Sequence, residues 1–411
     1  MTRAVHFLTR SRFGDLLLGP ELRIWSLATK VAEAGYQVVV HGLSGSTQTF
    51  PEGIEFRELA PGYMSKIRPG DAIVASELLG ARSLLELLRS RRPFHWDCYG
   101  LSLPETLSFL PTWSWMRSLG DRRRKMLRYR LLAMEAERIW VSHSGQGVFL
   151  ASQLAVCRPD REAWRAFQFP SAILEMPMGV PDENPPQGSA NPYPESMQGR
   201  PILFWGGGIW NWFDVPTVIR AMVELRNRGA PHVLFFLSGR NEATRDYDRP
   251  LDEALRLASE ANLLGSSIVF NDRRVKPTEL APWLEHCHAG IMGNQRTLES
   301  SMSWRTRYLD LLWAGRPLLV AGGDPLAERM ARCGAAEMVP HGDHIALADA
   351  ILSMQGDRWK SACEASSAEG RRVRWSQVAK PFLAELSRPE SFSTPTTPPS
   401  AGKLLRYALG V

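Results

Sequence analysis

Arg200–Asp214 reads R-P-I-L-F-W-G-G-G-I-W-N-W-F-D, and the reading of this stretch decides the fold. The apolar run Pro201–Trp205 has the composition of a strand buried in a parallel sheet. Gly206, Gly207 and Gly208 follow, and a helical pattern starts near Asp214. Strand, glycine-rich turn and helix together bring main-chain N–H groups and a helix N-terminus up to a phosphate. Glycine lacks a Cβ, so ligand oxygens can approach the main chain closely. Neither a dinucleotide fingerprint nor a P-loop lysine accompanies the turn. Taken alone, the stretch reads equally well as a tight βα turn.

Downstream, the pattern continues as alternating strands and helices. His232–Ser238, Ser267–Phe270, Ala289–Met292 and Pro317–Ala321 read as strands. Helices are expected at Val215–Asn227, Asp252–Ala261, Thr278–His286, Trp304–Trp313, Asp343–Met354 and Trp359–Glu385. Gly315 and Pro317 supply the stop signal for the Trp304–Trp313 helix. Upstream, Ala4–Leu8, the amphipathic Glu21–Ala34 and Tyr36–His41 form a βαβ opening. Ala72–Ala75, Phe94–Asp97 and Arg138–Ser142 add strands, with helices at Leu78–Ser90 and Gly145–Leu154. Between them, about Gly179 to Gly199, prolines mix with Gly, Ser, Asn and Glu, as in a linker. The expected architecture is α/β: two tandem Rossmann-like domains facing a cleft, spanning 1–180 and 200–385. Residues 181–199 are the linker, and 386–411 are a Ser/Thr/Pro-rich tail ending in K-L-L-R-Y-A-L-G-V. Ligands of such sheets lie beyond the C-terminal strand ends.

Composition narrows the function classes. At 411 residues, 44% hydrophobic and 22% charged, the chain has the make-up of a two-domain globular protein. No apolar run is long enough to span a bilayer, and the N-terminus is broken by charges, so a cytoplasmic location is expected. Five scattered cysteines, none in a C-x-x-C pair, argue against a disulfide framework and a zinc site. His286, Cys287 and His288 adjoin in sequence but point apart, so no metal is expected there. A net charge of +6 suits anionic partners. Without any zinc-finger, RRM or homeodomain signature, nucleic acid is not expected among them.

Four stretches carry a family resemblance over most of residues 1–385. Gly19–Val38 (G-P-E-L-R-I-W-S-L-A-T-K-V-A-E-A-G-Y-Q-V) resembles the opening helix of GT-B glycosyltransferases, and Ile139–Leu150 (I-W-V-S-H-S-G-Q-G-V-F-L) fits their first domain. Trp205–Ala221 resembles the start of their donor domain. Ser303–Val320 (S-W-R-T-R-Y-L-D-L-L-W-A-G-R-P-L-L-V) is similar to the donor-sugar helix of the retaining glycosyltransferase family 4. The resemblance implies transfer of a sugar from a nucleotide diphosphate sugar to a hydroxyl-bearing acceptor (a glycan, lipid-linked or specialised-metabolite hydroxyl) with retained configuration. It implies no tightly bound cofactor.

Negative charge develops on the departing diphosphate, so fixed donors and cations are the main catalytic resource. Donor contacts are expected from Gly206, Gly207, Gly208, Trp210 and Asn211, from the guanidinium groups of Arg240, Arg305 and Arg307, and from Asp310. Asp310 falls on the second acid of the family's E-x7-E motif, which would accept from ribose hydroxyls. Met302 stands where the first acid would be, and Trp210, Trp212 and Phe213 occupy the usual Arg…Lys region of the glycine loop. Arg273 or Arg274 could stack on the base, or belong to a solvated turn. Acceptor contacts are expected from Gly19, His95, Asp97 and His143, each with a structural role as the alternative. No catalytic base is assigned.

Arg117–Arg130 (R-S-L-G-D-R-R-R-K-M-L-R-Y-R) is a dense basic face. It reads as a solvated helix or as a peripheral contact with anionic lipid at the inner face of the cytoplasmic membrane. Two other readings compete with the transferase. One is a non-catalytic, membrane-docked partner of a transferase, suggested by the missing acid and lysine. The other is a sugar-nucleotide epimerase on the same fold.

Overall fold

The computed structural model describes residues 3–14, 17–76, 79–108, 115–157, 172–237, 249–273, 275–388 and 392. The chain forms two compact units: Gly179–Arg374 is one, and residues up to Met178 join those from Trp375 onward in the other. The sequence reading carried the second domain through 385. The helices Trp375–Val378 and Lys380–Leu386 instead go with the first unit.

In the first unit, β1 (Ala4–Leu8), β2 (Gln37–Gly42), β3 (Ile54–Glu58), β4 (Ala72–Ser76), β5 (His95–Cys98), β6 (Arg138–Val141) and β7 (Ile173–Glu175) form one sheet. Its order is β3-β2-β1-β4-β5-β6-β7, and every neighbouring pair is parallel. Central strands such as Ala4–Leu8 are buried at every position, as a sheet covered on both faces requires. The edge strand I-E-F-R-E is half exposed and polar, which is why its sequence did not announce it.

Helix Lys380–Leu386 closes this core from the far end of the chain. The Phe382 ring meets His95 and Trp140 edge-on, at 6.2 and 5.3 Å between centroids. Arg138 Nε donates to Glu385 Oε1 at 2.7 Å. Phe392, from the expected tail, stacks on His95 at 4.0 Å, and its N–H donates to Glu137.

A polar chain also threads this core. His6 Nδ1 lies 3.0 Å from His41 Nε2, and His6 Nε2 lies 3.3 Å from Asp71 Oδ2. The carboxylate can only accept, so His6 donates from Nε2 and accepts at Nδ1 from His41. His41 Nδ1 is then a bare lone pair in the core. Burial lowers the pKa of His6 and takes that of His41 down to about 3.

In the second unit, β8 (Ile202–Trp205), β9 (Val233–Phe236), β10 (Ile268–Phe270), β11 (Ala289–Gly293), β12 (Leu318–Ala321) and β13 (Ala336–Val339) form a parallel sheet. Its order is β10-β9-β8-β11-β12-β13. The strand order therefore reverses between β8 and β11, the switch point where doubly wound sheets open a crevice at their C-terminal ends. Helix Val215–Asn227 leaves that point capped by Asp214, whose carboxylate accepts from Thr217 N and Oγ1.

The proline-rich stretch 181–199 runs along the second unit. Gly188 and Ser189 donate their N–H groups to the Glu285 carboxylate, and Tyr193 Oη donates to Trp283 O.

Candidate functional site

The glycine turn leaves β8 at the switch point. Gly207 has φ +86, a left-handed conformation that favours glycine. Across the turn stands helix Thr306–Ala314, ended by Gly315 at φ +64. Arg307, in its first turn, donates from Nη1 to Gly208 O at 3.0 Å. A Cβ on Gly207 would stand 3.4 Å from Arg307 Nη2, and one on Gly206 would stand 3.8 Å from Arg307 Cβ. The structure thus brings the three glycines and Arg307 into contact. Burial and the charge of Arg305 lower the Arg307 pKa to about 10, so it stays cationic at neutral pH. Asp310 follows one turn later, half-buried. Burial pushes its carboxyl up to about 7, against the pull of Arg307.

Arg305 does not share this role. It was expected as a second phosphate fork, but Nη1 and Nη2 donate to the two Glu299 oxygens at 2.8 and 2.7 Å. Asp324 Oδ2 lies 3.8 Å from its Nε. Burial opposes its charge, yet Glu299 and Asp324 more than offset that and its pKa is raised. Asp324 itself caps helix Pro325–Arg332 through Leu326 N and Ala327 N, and burial lifts its carboxyl to about 6. Asn294, at the end of β11, donates to Tyr308 Oη, Gly322 O and Asp324 Oδ2. This buried polar cluster went unnoticed in the sequence. Only the N-cap signal of Asp324-Pro325 was readable.

The aromatic residues of the turn complete the wall. Trp210 and Trp212 stack at 5.6 Å and 17°. A Cβ on Gly208 would stand 3.5 Å from the Trp210 indole nitrogen. The Arg307 guanidinium sits 4.5 Å from the Phe213 ring centre, and that of Arg305 sits 5.0 Å from it. The loop is tied to β11, since Gln295 N donates to Trp212 O and Asp214 N to Gly293 O. Asn211 is half-buried in the same loop. Toward β10, Asn271 is buried and donates to Leu237 O and Arg273 O, while the Arg273 side chain is exposed. Arg240 and Arg274 lie outside the described residues.

In the first unit the expected acceptor residues part company. Gly19 opens helix Gly19–Glu33 against Tyr99, whose Oη would lie 2.9 Å from a Cβ there. Tyr99 O accepts from Ser142 Oγ and Gln146 Nε2. Asp97 is not presented to a ligand: Arg23 Nε and Nη2 grip its carboxylate, with Nη2 at 2.6 Å from Oδ1, and Arg23 also donates to Met176 O. Arg23 is 1% exposed, so this ion pair is buried. His95 is likewise corrected. It opens β5, is 0% exposed, accepts from Trp140 Nε1, and burial holds its pKa well below the ordinary value. His143 follows β6 beside this group and accepts from Gly145 N at Nδ1.

Among the described residues no group of three or more His, Cys, Asp or Glu could hold a metal ion. His286 and His288 each face a main-chain oxygen, of Ser189 and Met354 respectively, and Cys287 is buried.

No protein-family model matches the sequence, and no curated protein matches it. Solved structures do match along nearly the whole chain. One is a UDP-forming α,α-trehalose-phosphate synthase from Burkholderia xenovorans: 13% identity, 96% of this chain and 100% of that one, TM-score 0.68. Another is a sucrose-phosphate synthase from Thermosynechococcus elongatus: 14% identity, 93% and 98% covered, TM-score 0.65. A third is HepE of Anabaena in complex with UDP-glucose: 12% identity, 93% and 99% covered, TM-score 0.63. At these identities the likeness shows the fold, two Rossmann-like units as in GT-B glycosyltransferases.

Proposed function

We propose that the chain is a retaining glycosyltransferase, with a nucleotide diphosphate sugar as its donor and no tightly bound cofactor. One observation carries the reading: Arg307 is folded onto the Gly206–Gly208 turn at the β8/β11 switch point. There a cation and main-chain N–H groups would meet the diphosphate, whose charge grows as the sugar departs. Asp310, one helical turn on, would accept from the ribose. The fold likeness supports this, because a trehalose-phosphate synthase and a sucrose-phosphate synthase share the architecture and HepE holds UDP-glucose. Arg305 is a positioning residue here, held by Glu299 away from the phosphate. The hydroxyl-bearing acceptor is assigned to the first unit, near Gly19, Tyr99 and His143.

A lipid-linked acceptor suits the helix Trp115–Glu135, which leaves Arg123 and Arg124 exposed and Met116 76% exposed. Such a face would rest on an anionic membrane at its cytoplasmic side. Among the described residues, no helix is long and apolar enough to cross a membrane.

The test is calorimetry with UDP, dTDP and GDP, followed by release of nucleoside diphosphate with candidate acceptors. Binding of one diphosphate, lost in Arg307→Ala, is the expected result. Conversion of the sugar nucleotide to its epimer without any acceptor, and with no net release of nucleoside diphosphate, points to an epimerase. No binding of any diphosphate overturns the reading.

A further inference from the structure

We propose that Phe392 is an acid-released catch: it fastens the returning end of the chain over His95 while that imidazole is neutral, and lets go when the imidazole takes up a proton. The inference stands apart from the donor reading, because all of its residues belong to the first unit.

The catch lies at the N-terminal edge of the first sheet, where β1, β5 and β6 begin. Ligands of such sheets lie beyond the opposite strand ends. Phe392 is 4% exposed and is the only described residue beyond Arg388. Its ring stacks on His95 at 4.0 Å and 25°. The Arg3 guanidinium sits 4.9 Å from the ring centre, and the Phe392 N–H donates to Glu137 Oε2 at 3.0 Å. The backbone is bent to reach these partners. Phe392 has φ +65, a left-handed conformation that a bulky side chain adopts only under constraint. Against that strain stand one buried ring and one main-chain hydrogen bond, so release is a local event.

Hydrogen bonding fixes the one state of the imidazole that the closed catch accepts. Trp140 Nε1 can only donate, and it lies 3.2 Å from His95 Nδ1. Nδ1 is therefore a bare acceptor, and the ring proton is on Nε2. A second proton would go to Nδ1 and set N–H against N–H. His95 is fully buried and its Nε2 has no partner, so an imidazolium would also be shut from water. The charged groups around the site are Arg3 from the start of β1, Glu137 and Arg138 at β6, and Glu385 and Arg388 from the last helix and its end. Glu385 is taken by Arg138 and Arg388, and Glu137 by the Phe392 N–H. Asp71 and Tyr36 act on Arg3, but Asp71 is spent on His6 and the Ala4 N–H. Burial, with Arg138 and Arg3, holds the His95 pKa well below its ordinary value.

Lifting the Phe392 ring bares the imidazole to water and gives it room to turn from Trp140, and a free imidazole titrates near 6.5. Release therefore takes up a proton. Above about pH 6.5 the catch is shut, and below it each pH unit moves the balance toward release by up to about tenfold.

The test is chymotryptic cleavage after Phe392 in the full chain from pH 8 to pH 5, read by mass spectrometry. Each rate is divided by that for a synthetic peptide of residues 386–398, which removes the protease's own pH dependence. The ratio should rise about tenfold from pH 6.5 to pH 5, while Phe7, buried in β1, stays uncut. His95→Gln, which takes up no proton, should hold the ratio constant over that range. Should that variant not fold, the wild-type ratio decides alone. A ratio unchanged between pH 8 and pH 5 overturns the inference. So does cleavage at Phe7 that rises in step with Phe392, which marks unfolding of the whole unit, or a rise that persists undiminished in His95→Gln.

Discussion

Arg307 reaches back across 99 positions to donate to the main-chain oxygen of Gly208 at 3.0 Å. The bond locks a helix start to a loop, and it spends only one of the five N–H donors of the guanidinium. Arg307→Ala should weaken diphosphate binding by about tenfold or more, as expected for a lost charge-assisted contact. The melting temperature should fall by only a few degrees, corresponding to about 1 kcal/mol for the bond to Gly208 O. Calorimetry and thermal unfolding of one preparation would check both parts.

Gly207→Ala tests the turn itself. The substitution forces a Cβ into a left-handed position, costing about 1–2 kcal/mol, and places that Cβ 3.4 Å from Arg307 Nη2. Denaturant midpoints should fall accordingly. Diphosphate affinity should fall with them, because the guanidinium must move.

Glu299 and Arg305 form a buried pair, and breaking it from one side should be costly. Glu299→Ala takes away the carboxylate that holds both Nη groups of the buried Arg305 and leaves Asp324, at 3.8 Å from Nε, as the remaining paired anion, a loss of about 3–5 kcal/mol. Replacing both partners by apolar side chains should cost much less. Urea unfolding of the single and double variants gives the comparison. Equal losses would show that the pair was not the source of the effect.

The pH dependence of donor binding follows from Asp310. Its carboxyl titrates near 7 because burial disfavours the charged form. It is therefore neutral below that pH and anionic above it, and the anion is the stronger acceptor for the ribose hydroxyls. Affinity for a sugar diphosphate should rise by roughly three- to tenfold from pH 6 to pH 8. Asp310→Asn should flatten the profile.

Stability should respond to pH through buried histidines, His41 of the first unit among them. The folded state holds His41 neutral down to about 3, whereas the unfolded chain takes up that proton near 6.5. The contribution is complete above pH 6.5 and is lost as pH falls below it, at up to about 1.4 kcal/mol per pH unit for each such histidine. His6 and His95 shift in the same direction. His41→Gln should reduce the slope of unfolding free energy against pH by about one proton.

Much of the fold was legible because buried parallel strands write themselves as apolar runs. Pro201–Trp205, Ala72–Ala75 and Pro317–Ala321 each fell on a strand, within a residue or two. The edge strands β3 and β13 carry charges, and the sequence reading assigned no element to either. At the site, the glycines and Arg307 were named from the sequence and do touch. Arg305 looked identical to Arg307 in an R-T-R string. The distinction depends on Glu299, brought within hydrogen-bond range by the short helix Leu298–Met302 and the bend after it. No periodicity encodes that. For Asp97 and His95 the hydrogen bonds and packing fit the structural alternative, and the sequence could not choose it because their partners, Arg23 and Phe392, lie far away in sequence.

The late return of the chain, with Phe382 and Phe392 laid on His95, bears on how the protein emerges during synthesis. The whole of Gly179–Arg374 leaves the ribosome before the residues that finish the N-terminal sheet's cover. The inserted unit can therefore be complete while the earlier one still shows Trp140 and His95 to solvent. A nascent chain stalled before residue 375 would be a target for chaperones or proteases on its first-made half, although every strand of that half had already been translated.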